Sequence, residues 1–307
     1  MDQATNLRNI IKSQNVMTPQ VIPSAVAEAA PAFSSSRIIA VTSGKGGVGK
    51  SNVSVNLAIN LKKIGKRVLI FDADFGLANV EVMFGAIPKY TLKDVIYNGM
   101  AIKDIISYGA GDIPFISGGS GVIGLSNISR EQINVLLHSM AELDGLADII
   151  IIDTGAGISD AVMEFVSASN EVILVTTPEP SSLTDSYSLL KVLCSRPGFD
   201  KKDCLIKVVT NKAASAEDGR NVYARLQTVV NRFLDVNMEL LGIVPTDPAL
   251  ERAVMQQIPV SLSSPGAKSS KAFEELADAI NGDSPAAPRQ GSGMTGLFAR
   301  LFRRYKI

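Results

Sequence analysis

The residues with the most chemical promise stand together near the start of the chain: Ser43-Gly44-Lys45-Gly46-Gly47-Val48-Gly49-Lys50-Ser51. From Gly44 to Ser51 the spacing fits G-x-x-x-x-G-K-[ST], the pattern of a loop that cradles polyphosphate. Glycines at 44, 46, 47 and 49 let backbone N–H groups close on phosphate oxygens, where a side chain would stand in the way. Lys50 adds a point charge and Ser51 a hydroxyl for Mg²⁺, while Val48 and Asn52 complete the nucleotide-binding positions. Gly44, Gly46 and Gly49 also satisfy G-x-G-x-x-G, with Asp72 or Asp74 as the acid that would hold a ribose. The Gly49-Lys50-Ser51 ending argues against that dinucleotide reading, because such a turn needs neither an ammonium nor a hydroxyl.

Carboxylates follow two apolar runs. Val68-Leu69-Ile70-Phe71 leads into Asp72-Ala73-Asp74, and Ile149-Ile150-Ile151-Ile152 leads into Asp153-Thr154-Gly155-Ala156-Gly157. An acid after a buried strand beside a phosphate loop is a usual partner of Mg²⁺, a role assigned to Asp153. A lone strand-end aspartate is more often a turn or cap, but two such ends together with the loop point to chemistry. Gly155 and Gly157 would let the backbone move as a γ-phosphate comes and goes.

These groups need a scaffold that gathers strand ends. The β-branched run Ile38–Val41 precedes the loop and a helical pattern follows it. Further strands are expected at Val68–Phe71, Ile113–Ile116, Ile149–Ile152, Val172–Val175, Leu205–Val209 and Leu240–Val244, alternating with amphipathic segments. Continuous apolar runs fit strands covered on both faces, so the expected fold is α/β: a doubly wound, mostly parallel sheet of the P-loop NTPase type. Ligands in such sheets gather at the carboxyl ends of the strands.

Composition narrows the classes. The 307 residues are 46% hydrophobic and carry a formal net charge of zero, which allows a sizeable core and gives no support to a protein that coats nucleic acid. Cys194 and Cys204 are the only cysteines and His138 the only histidine, which argues against a structural zinc site or a disulfide framework. No apolar run reaches spanning length and no leader pattern opens the chain, so a cytoplasmic protein is expected.

The second lysine of the loop makes a resemblance specific. Lys45-Gly46-Gly47-Val48-Gly49-Lys50-Ser51 resembles the deviant phosphate loop of the MinD/ParA class of ATPases. The resemblance implies ATP and Mg²⁺ as cofactors, and a homodimer that sandwiches ATP, with Lys45 reaching the partner's phosphates. It also implies that Asp74 orients the attacking water, Asp72 supports it, Lys50 neutralises charge and Asp153 serves Mg²⁺. Adenine would lie near Thr210-Asn211-Lys212 and Pro245-Thr246-Asp247, with Asn211, Pro245 and Asp247 as the binding residues.

Both ends of the chain narrow the resemblance further. Asp2-Gln3-Ala4-Thr5-Asn6-Leu7-Arg8 is similar to the D-Q-A-x-x-L-R motif of the FlhG (YlxH/FleN) family of MinD-like flagellar regulators. The interior phrase Phe71–Val80 is similar too, although Phe75 stands where an aliphatic residue is expected. The resemblance implies a partner GTPase of the FlhF type, activated through Asp2, Gln3, Ala4, Leu7 and Arg8. It also implies contact with flagellar C-ring proteins or a flagellar transcription regulator. The expected division is an activator helix over 1–12, a linker over 13–36, an ATPase domain over 37–282, a linker over 283–294 and a terminal helix over 295–307.

In that terminal helix Leu297, Phe298, Leu301 and Phe302 recur on one face, flanked by Arg300, Arg303 and Arg304. This is the pattern of a helix lying in an anionic membrane surface, and it is roughly 18 Å long against a hydrocarbon core of ~30 Å. The same stripe also suits a helix docked on the protein's own core. Reversible attachment to the inner face of the cell membrane is therefore expected, regulating flagellar number and placement. Two rival functions use the same loop: a ParA-like DNA-partition ATPase, and a scaffold or transcriptional co-regulator with little turnover. No basic cluster in the domain favours DNA.

Overall fold

The computed structural model describes residues 36–75, 79–119, 130–169, 171–196, 199, 201, 204–282 and 293–303. All of them fall in one unit, 34–307. The activator residues Asp2, Gln3, Ala4, Leu7 and Arg8, nearly all of both linkers, Arg304 and the side chain of Arg303 lie outside the described residues.

Eight described strands form one sheet: β1 (Arg37–Ser43), β2 (Val68–Ala73), β3 (Ser107–Gly109), β4 (Ile113–Ser117), β5 (Ile149–Ala156), β6 (Glu171–Thr176), β7 (Leu205–Ala213) and β8 (Met238–Pro245). Their spatial order is β3-β4-β2-β5-β1-β6-β7-β8. All pairs are parallel except β3 with β4. Every strand expected from the sequence is present. The three-residue β3 escaped notice because it carries no apolar run: Ser107, Tyr108 and Gly109 are a half-covered edge.

Around the sheet lie α1 (Lys50–Lys63), α2 (Asn79–Phe84), α3 (Leu92–Asn98), α4 (Arg130–Asp144), α5 (Asp160–Ala168), α6 (Pro180–Ser195), α7 (Ala216–Phe233), α8 (Pro248–Gln256), α9 (Val260–Ser263), α10 (Lys268–Gly282) and α11 (Gly293–Arg303). Successive strand residues serve opposite faces, as the two-residue period of a strand requires. Ile39, Ile70, Ile149 and Ile151 join α1 and α10 on one face, whereas Ile38, Leu69, Phe71, Ile150 and Ile152 join α4 and α11 on the other. The amino ends of the strands, opposite the phosphate loop, are pinned by charge. Arg37 donates twice to Glu171, and the fully buried Lys207 ammonium lies 3.8 Å from Glu171 and 3.5 Å from Glu239.

The terminal helix is docked on the body, the second of the two settings that its stripe suits. Leu297, Phe298, Leu301 and Phe302, assigned from the sequence to a membrane surface, are buried together with Met294 against α4 and α5. The Phe298 ring packs edge-on to Phe71 and Phe165, each at 6.0 Å between centroids. Arg300 donates through Nε to the Ala168 carbonyl at 2.7 Å, so it is a packing residue here and not a free cation. Asp144, at the end of α4, accepts from the Met294 amide at 2.7 Å and the Thr295 hydroxyl at 3.0 Å. A carboxylate there suits the positive start of α11. An apolar stripe reads alike for lipid and for protein, because either solvent hides it from water equally well. No described helix is long and apolar enough to cross a membrane.

Since Phe298 fills the space between Phe71 and Phe165, Phe298→Ala is expected to lower unfolding free energy by about 3–5 kcal/mol. A urea melt at neutral pH checks this, and a midpoint that does not move would mean that α11 is not part of the core.

Candidate functional site

The phosphate loop follows β1, whose connection runs toward β2, while that of its neighbour β5 runs the opposite way to β6, the crevice position of an open parallel sheet. Gly49 takes a left-handed conformation (φ 97°, ψ 25°) at the entrance to α1. A Cβ on it would come within 2.3 Å of the Asn211 amide nitrogen, and one on Gly44 within 2.2 Å of the backbone of Asp185 in α6. Space requires glycine at both positions, and at Gly49 conformation does too. Outside the loop, Asn211 Nδ2 donates to the Val48 carbonyl at 2.8 Å and Lys212 Nζ to the Gly47 carbonyl at 2.9 Å. The first amides of α1 have no preceding turn to bond with, which makes the helix start an anion site.

Adjacent parallel strands bring the acids together. β2 and β5 pair in register so that Asp72 lies opposite Asp153. Asp153 is fully buried and accepts from Ser51 Oγ at 2.6 Å and Ser54 Oγ at 2.7 Å. Asp72, equally hidden, accepts from the amides of Asp74 at 3.0 Å and Val80 at 3.1 Å. Burial, and then the neighbouring Asp153 charge, push the Asp72 carboxyl well above the usual carboxylate range; the two amides oppose this. Burial also raises Asp153, against the pull of Lys50 and the two serine hydroxyls. Asp74 is half-buried, accepts from Asn79 Nδ2 at 3.1 Å and stands beside Gly155, whose added Cβ would lie 3.6 Å from its Oδ1.

The donor set fits Mg²⁺. Ser51 and Asp153 present hard oxygen ligands beside an anion loop, and the crowded, burial-raised pair of carboxylates is the arrangement that a divalent cation relieves. Lys50 is buried and acts on Asp153, as a lysine aimed into the site should. Lys45 turns the other way: its Nζ donates to Glu179 at 2.6 Å and to Ser181 at 2.9 Å, both exposed at the start of α6. That ammonium holds the Glu179 carboxyl below its ordinary range, with a smaller pull from Lys212.

Two of the residues expected at the base have protein partners in this structure. Asn211, whose amide seemed available for a base edge, bonds the loop through Nδ2 and accepts from the Lys212 amide through Oδ1 at 2.9 Å. Asp247 accepts from the Ala249 amide through one carboxylate oxygen and from the amide and hydroxyl of Ser269 through the other, so it ties α8 to α10. Pro245 ends β8 beside Ala213, and the Asn52 side-chain oxygen is buried without a partner. Sequence reasoning missed Ser54, Asn79, Glu179 and Ser181, and it placed Lys212 near the adenine without foreseeing its bond to the loop. Only Ser54 had a local signal, one helical turn beyond Lys50. The rest meet the loop or the acids through tertiary packing alone.

Phe75 extends the site toward α11. It follows Asp74 directly, and its ring lies 5.9 Å from Phe165, which touches Phe298 at 6.0 Å. A line of rings therefore runs from the acid that faces the loop to the terminal helix.

For a carboxylate whose folded pKa is raised, the folded form holds more protons than the unfolded one, and stability falls as pH rises from the unfolded value through the folded value. In nucleotide-free protein the melting temperature should therefore decline with rising pH above the ordinary aspartate range. Asp72→Asn should flatten that decline. Thermal melts across a pH series without nucleotide check it, and an equal slope in both proteins would rule Asp72 out as the source.

Comparison with known proteins agrees with this geometry. Residues 34–281 match the ParA family, described as NUBPL iron-transfer P-loop NTPase. The antiactivator FleN of Pseudomonas aeruginosa is 41% identical over 254 residues, 82% of this chain and 89% of that protein. The flagellum site-determining protein YlxH of Helicobacter pylori is 34% identical over 271 residues, 87% and 90% of the two chains. Among solved structures, the septum site-determining protein MinD of Pyrococcus horikoshii, complexed with Mg-ADP, superposes with a TM-score of 0.62. It is 27% identical, covering 80% of this chain and 96% of that one. With the loop, the paired acids and the sheet order in place, the chain belongs to the ParA family of P-loop NTPases, among the MinD-like proteins related to FleN and YlxH.

Proposed function

We propose that this protein is an ATP-hydrolysing switch that forms an ATP-sandwich dimer and regulates flagellar number and placement. The observation that carries the reading is the direction of Lys45. It leaves its own loop for the exposed Glu179 and Ser181, where a lysine serving a partner's nucleotide would wait. Hydrolysis then asks little of the protein beyond position and charge. The loop amides and Lys50 hold the phosphates, and Asp74 accepts a hydrogen bond from the attacking water. Ser51 and Asp153 would hold Mg²⁺, which when bound would supply positive charge beside the phosphates. The relation to FleN and YlxH supports the flagellar setting.

In this reading α11 is the output element. Its apolar side chains are stowed against α4 and α5, so binding an anionic membrane requires their release. That exchange moves the stripe from one apolar environment to another but uncovers the faces of α4 and α5 beneath it, an exposure that lipid and dimer contacts have to offset. Basic residues near an anionic surface add about 1 kcal/mol each. Two tails on one dimer act together, raising avidity by ~10²–10⁴. The segment from Asp2 to Arg8 would meet the FlhF-type GTPase, and C-ring proteins or a transcription regulator remain partners proposed from resemblance.

Lys50→Ala should abolish nucleotide binding in a fluorescent-nucleotide titration. Asp74→Ala should hold ATP as a dimer in size-exclusion chromatography, with turnover reduced at least ~100-fold. An ATP-loaded Asp74→Ala monomer would count against the sandwich.

Because α11 belongs to the core, membrane binding is best tested by charge reversal at Arg303 and Arg304, leaving the apolar stripe intact. Asp74→Ala protein should co-sediment with anionic liposomes in ATP and not in ADP, and the reversal should remove that binding. Sedimentation indifferent to both changes would refute the membrane role.

A further inference from the structure

In the phosphate loop, two successive carbonyls are held from outside by two successive residues at the end of β7. Lys212 Nζ donates to Gly47 O at 2.9 Å, and Asn211 Nδ2 donates to Val48 O at 2.8 Å. In a trans peptide the N–H points opposite to the C=O of the same plane. Fixing the Gly47 carbonyl therefore aims the Val48 amide, and fixing the Val48 carbonyl aims the Gly49 amide, each away from β7. A glycine-rich loop has little else to prevent such peptides from flipping, and a flipped peptide would turn a carbonyl toward an anion.

The backbone at Lys212 is the second observation. Its φ of 56° is left-handed, a conformation unfavourable for a lysine, and the pairing of β7 with β8 shifts register between Thr210 and Ala213. The Lys212 amide is held there by Asn211 Oδ1 at 2.9 Å. One asparagine thus bonds the loop with one end of its amide and fixes the turn with the other. The turn sets the exposed Lys212 side chain against the loop, a strained position retained beside a ligand site. Lys212 also acts on the Glu179 carboxylate, so a cation stays near that carboxylate when Lys45 departs.

We infer that Lys212 is a positioning residue: with Asn211 it clamps the outer side of the phosphate loop, so that the Val48 and Gly49 amides face the polyphosphate before nucleotide arrives. The inference rests on the proposed nucleotide-binding role for its affinity consequences, but its geometric content stands without nucleotide. Removing the ammonium should loosen binding of ADP and ATP alike, because the clamp acts on the shared part of the site and not on the attacking water.

The test uses the full chain with Lys212→Met, Lys212→Arg and Lys212→Gly. Three quantities are measured: amide hydrogen exchange at Val48 and Gly49 in nucleotide-free protein, affinity for ADP and ATP, and turnover at saturating ATP. Lys212→Met should exchange faster at both amides and weaken both nucleotides about threefold to tenfold, the range of one lost hydrogen bond. Its kcat should stay within about twofold of the parent's, as expected when only uniform binding is lost. Lys212→Arg should restore affinity. Lys212→Gly, which relieves the backbone, should bind as poorly as Lys212→Met with no loss of melting temperature. Unchanged exchange and affinity in Lys212→Met, parental affinity in Lys212→Gly, or a loss confined to kcat would overturn the clamp. Should the parent bind no nucleotide, the switch reading fails, and the exchange rates decide the clamp alone.

Discussion

Two carboxylates buried side by side set the terms for this site. Asp72 and Asp153 face each other across β2 and β5 with almost no access to water, and burial makes their shared negative charge unfavourable. Each therefore needs donors: two backbone amides for Asp72, two serine hydroxyls and the Lys50 charge for Asp153. Those donors belong to the start of α1 and to the segment after β2, so satisfying the acids also positions the loop and the segment carrying Asp74. The requirement is met only where parallel strands end together, which is why the sheet order matters to the chemistry.

The loop is braced from both flanks. α6 crowds Gly44 and receives Lys45, while the end of β7 crowds Gly49 and holds two carbonyls. Such bracing limits reorganisation when an anion binds, the general advantage of a site formed in advance. Lys45 is the part left adjustable. Its contacts with Glu179 and Ser181 are exposed and of low worth in water, so they can be exchanged for a stronger charge at little cost.

Packing joins this site to the end of the chain. Phe75, Phe165, Phe71 and Phe298 form one aromatic cluster that touches the strand bearing Asp72, the helix after the Asp153 segment, and α11. Close-packed interiors transmit displacement because they hold few voids to absorb it. The aromatic residue at 75, out of place when judged by the resemblance, has a packing reason: it fills the space beside Phe165.

By itself the sequence determined the loop, the seven strands with long apolar runs, the parallel sheet and the strand ends that carry Asp72, Asp74 and Asp153. Each of these is written in short-range spacing: a fixed motif, a two-residue period, an acid following a buried run. Tertiary structure alone decided which surface the stripe Leu297, Phe298, Leu301 and Phe302 would meet, because periodicity records that a face is apolar and not what covers it. It likewise decided that Asn211 and Asp247 spend their polar atoms on the loop and on helix ends, and that Lys45 and Lys212 grip groups more than 130 residues away in the chain. A hydrogen bond depends on where two atoms come to rest in space, and spacing along the chain carries no record of so distant a partner.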